Sequence, residues 1–341
     1  MLGLNIFLVK LPYELLTGLP LSYCFIIPKY KKMNLKLTKI YILTYLILLN
    51  INCTHNDSTK TEKILIDIGD SLTAGAGGDG TTMSNVTAKL LGPDWTVKNM
   101  GVGGENTLTI GARQGGLPMY IKESIRIPKD GSKVAIPSGL YSSYNDKKVY
   151  PLLQGATGIN PCYIDTIKCT LTRKQNKYYI NSMTILDKDY ITRPKSKIIT
   201  SLSKQTKGIT TIFIGQNGGY DSPEDFMKQL DLIIKHKGDE NIIIITSHGK
   251  ASKELREMVT KKYGRKHIDL KKYMTTKAIY DAIKFGLLPN NGQYPTAKDL
   301  DDMKNNKAPT SLLYDGIHFN AIGYELLGRL RYQKGKELGY W

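Results

Sequence analysis

Two runs of near-continuous apolar residues, ITTIFIGQN (209–217) and NIIIITSHG (241–249), stand out along the chain, and KILIDIGD (63–70) shares their form. Each is short and runs into Gly, Asn, Asp or His, the pattern of a strand buried on both faces. TVKNMG (96–101) and KHIDLKKY (266–273) are weaker versions and predict a second and a fifth strand. Between them the apolar positions recur at helical spacing. Met83, Val86, Leu90 and Leu91 predict a helix over 82–91, and Leu255, Met258 and Val259 share one face over 251–263. Ser222-Pro223-Glu224 opens a helix over 223–237, with Pro in the first turn. Further helices are expected over 275–284 and 320–337, and a short helix or turn over 105–114. Buried strands alternating with amphipathic helices predict an α/β fold with a central parallel sheet covered on both faces.

The stretch from about 113 to 208 breaks this rhythm. SIRIP, KVAIP, KKVYPLL, YIDTIKCTLT, KYYINSMTIL and SKIITSL are short alternating runs separated by Asp130-Gly131, Gly139 and Asn145-Asp146. They predict a β-rich insertion within one domain spanning 63–341. The 112 residues between Gly104 and Asn217 far exceed the roughly 10–30 that a strand crossover needs.

The beginning of the chain has another character. Lys36 and Lys39 precede a ten-residue apolar stretch, Ile40 to Leu49, that is too short for a hydrocarbon core needing about twenty. A basic segment followed by a short apolar one has the layout of an export signal, expected over 1–52, with Met33 a natural start. Cys53 follows, then a polar linker over 53–62. The arrangement resembles a bacterial lipoprotein signal, which implies lipidation of Cys53, a membrane anchor and a place at the cell envelope. Asn50, Ile51 and Asn52 depart from the small residues usual before such a Cys. A plain secretory signal or an uncleaved anchor is the alternative.

Composition narrows the reading. The chain has 341 residues, 41% hydrophobic and 23% charged, which suits neither disorder nor a multi-span membrane protein. Four Cys in this length exclude a small disulfide scaffold. The formal net charge of +18 invites a nucleic-acid reading. Without residues 1–52, the 42 basic and 29 acidic residues that remain leave +13. No nucleic-acid-binding motif accompanies them, so no nucleic-acid partner is expected.

The chemistry-bearing segments fall where predicted strands end: GDSLTAG (69–75), NMGVGGENT (99–107), GQNGG (215–219) and, near the last helix, DGIHFN (315–320). In open α/β sheets ligands bind outside the carboxyl ends of the strands. Ser71 at a tight strand-to-helix turn is a candidate nucleophile, and a hydroxyl needs a base within about 3 Å. Among the five His, His318 stands three residues after Asp315, so one loop can supply both the base and the carboxylate that orients it. Singly, each is also an ordinary turn residue. Oxyanion donors are available in the Ser71 N–H, the Gly104 N–H and the Asn217 side-chain amide, although Gly104 also reads as a turn glycine and Asn217 as a cap. Asp70 is expected to organise loops rather than do chemistry.

These four blocks resemble, in order and context, the conserved blocks of the SGNH (GDSL-type) serine hydrolases, over about 63–111 and 209–335. The resemblance implies a flavodoxin-like three-layer α/β/α fold and ester hydrolysis through an acyl-serine. It assigns Ser71 as nucleophile, His318 and Asp315 as its partners, and Gly104 and Asn217 as oxyanion donors, with no metal and no organic cofactor. Gly218 stands where the family usually has Asp.

An acylated carbohydrate, acetylated ones included, is the favoured substrate. The alternatives are a lipid or small acyl ester and, as a lesser reading, a non-catalytic glycan-binding module. Tyr120, Tyr141, Tyr144, Tyr150, Tyr163, Tyr178 and Tyr179 lie in the insertion, where they either stack on sugar rings or fill the insertion's own core. Gly115, Gly116, Gln154, Gly155, Asn160 and His248 are candidate substrate contacts, each with a structural alternative. Cys162 and Cys169 flank YIDTIK, and a hairpin would bring them together as a disulfide or as two buried thiols.

Overall fold

The computed structural model describes residues 62–238 and 241–341. The expected signal, Cys53 and the linker up to residue 61 lie outside them. Strand β1 (Lys63–Gly69) runs into a single helical turn, α1 (Ser71–Ala74), followed by α2 (Met83–Leu91), β2 (Trp95–Gly101) and α3 (Thr107–Gln114). Thr82 and Asn85 cap α2 reciprocally, which fixes its start as the spacing predicts.

Ten short strands then follow. They are β3 (Met119–Ile121), β4 (Arg126–Ile127), β5 (Val134–Ile136), β6 (Leu140–Ser142), β7 (Lys148–Val149), β8 (Cys162–Ile164), β9 (Ile167–Lys174), β10 (Lys177–Ser182), β11 (Tyr190–Ile191) and β12 (Ser196–Ile199). Eight of them form an antiparallel sheet in the order β5-β10-β9-β8-β12-β3-β6-β7, while β4 pairs with β11. The expected β-rich segment is therefore real, but it starts later than residue 113. Arg113 and Gln114 are the last two residues of α3. It is also larger than an appendage, having more strands than the parallel sheet.

The chain returns through β13 (Ile209–Ile214), α4 (Pro223–Lys237), β14 (Ile242–Thr246), α5 (Lys253–Tyr263) and β15 (His267–Asp269). It closes with α6 (Leu270–Thr276), α7 (Ala278–Lys284), α8 (Ala297–Lys304) and α9 (Ala321–Glu337). The fifth strand is shorter than expected over 266–273. The Asp269 carboxylate accepts the Lys272 N–H and starts α6 there.

The five strands β1, β2, β13, β14 and β15 are all parallel, in the order β15-β14-β13-β1-β2. Their side chains alternate between two cores. Ile243 and Ile245 pack with Leu326 and Leu327 of α9, whereas Ile242 and Ile244 pack with Phe226 and Leu230 of α4 and Leu255 of α5. The fold is thus α/β with helices on both faces of the parallel sheet. The inner face of the antiparallel sheet builds a third core from residues such as Met119, Ile121, Ile164, Leu171 and Ile198. From β1 the chain first builds outward to β2, then crosses back to β13 on the other side. The strand order reverses between β1 and β13, and such a switch point opens a crevice at the strands' carboxyl ends.

Candidate active site

Three of the four chemistry-bearing segments meet at that crevice. Gly69 pairs with Gly101 on one side and Phe213 on the other, so β1, β2 and β13 end level with one another. Gly101 is required by close approach, because a Cβ there would stand 2.3 Å from the Ala74 amide nitrogen. Asn99 fastens the same contact, donating to the Thr73 carbonyl at 2.8 Å.

Ser71 is the first residue of α1 and is 8% exposed. Its hydroxyl lies 2.8 Å from His318 Nε2, and His318 Nδ1 lies 2.7 Å from Asp315 Oδ2. A carboxylate only accepts, so Nδ1 carries the proton and Nε2 presents its lone pair to the Ser71 hydroxyl. Asp315 also accepts the Ile317 and His318 amides at 3.0 and 2.7 Å, which curls the loop around its own carboxylate. These donors, His318 first, pull the Asp315 pKa down to about 2, so it stays ionised at any working pH. A bridge between Leu313 and Phe319 closes the loop, and Asn320 caps α9 directly behind it.

Asp70 is buried and caps α1 by accepting the Leu72 N–H at 2.9 Å. Burial raises its pKa to about 7. The folded state therefore binds this proton more tightly than the unfolded chain, and stability falls as pH rises from about 4 to 7. Asp70→Asn keeps the accepting oxygen but cannot ionise. It is expected to hydrolyse esters within about tenfold of the parent and to flatten the dependence of thermal midpoint on pH across that window. A loss of activity as large as that of a triad variant would give Asp70 a chemical part.

The second and third segments interlock. Asn217 Nδ2 donates to the Glu105 carbonyl at 3.0 Å, and the Thr107 amide donates to the Gly218 carbonyl at 2.9 Å. The Gly218 loop is therefore held by its backbone, with Gly218 at φ 67° and Gly219 at φ 89°. Gly104 is exposed at φ 77° next to Glu105, so Gly104 and Asn217 flank the same buried carboxylate residue. An amide nitrogen has two protons, and the Glu105 bond engages one while fixing the direction of the other.

Beneath them lies a residue that the motifs did not single out. Arg113, fully buried, pairs with Glu105 at 2.8 Å and donates to the carbonyls of Met100 (2.8 Å), Thr157 (3.2 Å) and Gly69 (3.3 Å). It ties both strand ends and the insertion to the nucleophile turn. The available signal was a lone Arg among the small and apolar residues of TLTIGARQ.

The proposed substrate contacts separate. Gln154 does reach the site: it bridges to Gly103, and its side chain lies against Gly103 and Gly104. Gly155 follows it, exposed, facing Val102. Asn160 is a correction. Both ends of its amide are bound to the Leu171 backbone, at 2.9 and 2.8 Å, so it braces the insertion. Gly115 and Gly116 also serve packing, against His236 and the Ile233 backbone. His248 is buried, and its Nε2 donates to the Ile317 carbonyl at 2.8 Å while its ring packs on Phe319 at 4.8 Å. Burial lowers its pKa, which favours the neutral ring. It braces the Asp315–His318 loop through the Ile317 carbonyl and the Phe319 ring. His248→Phe, which removes that donor, is expected to lower kcat roughly tenfold with KM little changed. His248→Gln should restore part of it, and unchanged kcat in the Phe variant would remove the bracing role.

The insertion's tyrosines also divide. Tyr120 and Tyr178 are buried, Tyr178 donating to the Pro151 carbonyl at 2.9 Å. Tyr150 is exposed, and Tyr141, Tyr144, Tyr163 and Tyr179 are half-buried. Cys162 and Cys169 sit directly opposite each other on β8 and β9, both buried with free thiols. Compared with protein-family models, curated proteins and solved structures, the chain matches none.

The geometry of the site is a hydroxyl, an imidazole and a carboxylate in one hydrogen-bonded line at a strand-end crevice. The line opens to solvent, with the His318 and Asp315 side chains 23% and 43% exposed. Tyr314 and Ile317 on the same loop are exposed as well. Two clefts around His267, Asp269 and Lys272 involve no residue of the line. Among the described residues no group of His, Cys, Asp and Glu is placed to hold a metal ion.

Proposed function

We propose that the protein is a serine ester hydrolase of the SGNH type, with the flavodoxin-like arrangement of that family. The observation that carries the reading is the line Asp315 Oδ2, His318 Nδ1, His318 Nε2, Ser71 Oγ, with contacts of 2.7 and 2.8 Å. The parallel-strand order and the four ordered segments support it. His318 takes the Ser71 proton as Oγ attacks the ester carbonyl. The Ser71 and Gly104 amides and the Asn217 side chain receive the oxyanion. His318 then protonates the departing alcohol, and in the second half it activates water to release the acid and regenerate Ser71.

The substrate is an ester on carbohydrate, with a short acyl group, acetyl above all, met at a bacterial cell envelope to which Cys53 anchors the chain. The openness of the triad supports this, since a short acyl group on a polymer needs access rather than a deep apolar channel. Tyr314 beside Asp315 offers an amphipathic ring to a sugar. The test is acid release from a panel running from acetylated xylan and acetylated peptidoglycan to long-chain glyceryl esters. Release of acetate from the polymers with little turnover of the long chains is expected. Preference for the long chains would favour a lipid esterase, and retention of glycan without turnover of any member would favour a binding module.

A further inference from the structure

The positive charge of the chain is concentrated in one segment. Residues 115–208 hold 16 Lys and Arg against 6 Asp and Glu, a net +10 of the chain's +18. The eight strands of the antiparallel sheet contain no Asp or Glu at all. Along each strand alternate residues face opposite ways. Met119, Ile121, Leu140, Val149 and Ile198 enter the core. The residues between them therefore form the outer face.

On that face the register builds one cross-strand row. Lys197 of β12 stands opposite Tyr120 of β3, Tyr120 opposite Tyr141 of β6, and Tyr141 opposite Lys148 of β7. The two rings lie 6.0 Å apart. Lys122 and Lys148 hold their ammonium groups 5.1 and 5.9 Å from the Tyr141 ring, and Lys195 holds its own 5.9 Å from Tyr120. All four lysines are exposed, and none is ion-paired among the described residues. The nearby acids have partners of their own: Glu123, which also attracts its neighbour Lys122, accepts the Ser138 N–H at 3.0 Å, Asp146 takes the Tyr120 hydroxyl at 2.7 Å, and Asp189 pairs with Arg126. The ring faces offset only part of the repulsion among four ammonium groups held on one face of the sheet. A bound polyanion would relieve the rest.

We propose that this outer face binds an acidic polysaccharide, a polymer whose sugar rings carry carboxylates. A uronate ring combines what the row presents. Its apolar face can lie over the half-exposed Tyr141 while its carboxylate meets an adjacent ammonium group. Nucleic-acid bases need uncovered rings to stack on, and Tyr120 is only 3% exposed beneath its lysines. A lipid surface needs apolar side chains, which this row lacks. The face shares no residue with Ser71, His318 and Asp315, and its binding does not depend on ester hydrolysis.

The test is retention of the full chain by immobilised polygalacturonate, in gels and in titration, against an uncharged polysaccharide. The variant joins Lys122→Gln, Lys148→Gln, Lys195→Gln and Lys197→Gln. Binding of the parent that weakens with salt and drops about tenfold or more in the variant supports the proposal. Hydrolysis of p-nitrophenyl acetate should be the same in both, which also shows that the variant is folded. Lys148→Gln alone gives a smaller loss in the same direction. No retention of the parent, equal retention of parent and variant, or preference for single-stranded DNA or phosphatidylglycerol vesicles over polygalacturonate overturns it.

Discussion

Ser71→Ala leaves the fold intact and removes hydrolysis of p-nitrophenyl acetate, with kcat falling by about a millionfold if the triad acts as a unit. The side chain is small and sits at a helix start whose cap is Asp70, so the backbone loses no hydrogen bond. What disappears is the oxygen 2.8 Å from His318 Nε2. Circular dichroism and thermal midpoint should match the parent while initial rates fall to the level of added buffer. Asp315→Asn separates orientation from attack. Asp315 Oδ1 accepts two backbone amides and Oδ2 accepts His318 Nδ1. An Asn keeps one accepting oxygen for the amides and turns its NH2 toward Nδ1. The imidazole must then carry its proton on Nε2, facing Ser71, and cannot take another. Loss of about 10⁴ in kcat is expected, with KM nearly unchanged. Full activity of either variant would sink the serine-hydrolase reading.

The strand ends and the triad could be read in the chain because both depend on local pattern. Runs such as IIIIT and ITTIFI have one stable use, a strand covered on both faces, and Asp315 and His318 share one loop. Legibility failed where partners are remote. Asn160 sits in a loop-like QGATGINP and looked free to touch ligand. Its partner is Leu171, eleven residues on, across a hairpin whose register no local signal specifies. The eight-stranded sheet places β12 beside β3, and runs of three and four residues carry too little pattern to announce that pairing. KHIDLKKY has the apolar form of a strand, but Asp269 within it caps a helix and ends the strand after three residues. Helix α8 was missed outright, although Thr296 with Asp299 three residues on has the form of a capping box, and both side chains are bonded that way. Its charged sequence, AKDLDDMK, hides two buried acids that hold the loop of Thr310 and Ser311.

Arg113→Met should destabilise the protein by about 3–5 kcal/mol at neutral pH, because it strands a buried carboxylate rather than merely removing a contact. Arg113 and Glu105 are both wholly buried, and three backbone carbonyls from β1, β2 and the insertion depend on the same guanidinium. For a domain of this size each kcal/mol is worth about 2–4 °C, so the thermal midpoint should fall by roughly 10 °C. The sign of the pH dependence tests the cause. Burial already raises the Glu105 pKa, and Arg113 is what opposes that rise. Without the arginine the folded carboxyl holds its proton to higher pH than before. The unfolded carboxyl does not change, so the gap between variant and parent should be widest at alkaline pH and shrink on acidification. Adding Glu105→Gln to Arg113→Met removes the stranded charge and should recover part of the loss, although the three carbonyls stay unpaired. Activity should fall in both variants, since the Gly69 carbonyl precedes the Asp70–Ser71 turn and the Glu105 carbonyl orients Asn217. A midpoint shift of less than about 2 °C in Arg113→Met would mean that this ion pair does not hold the strand ends together. A loss that does not vary with pH would assign the cost to the carbonyls instead of the carboxylate.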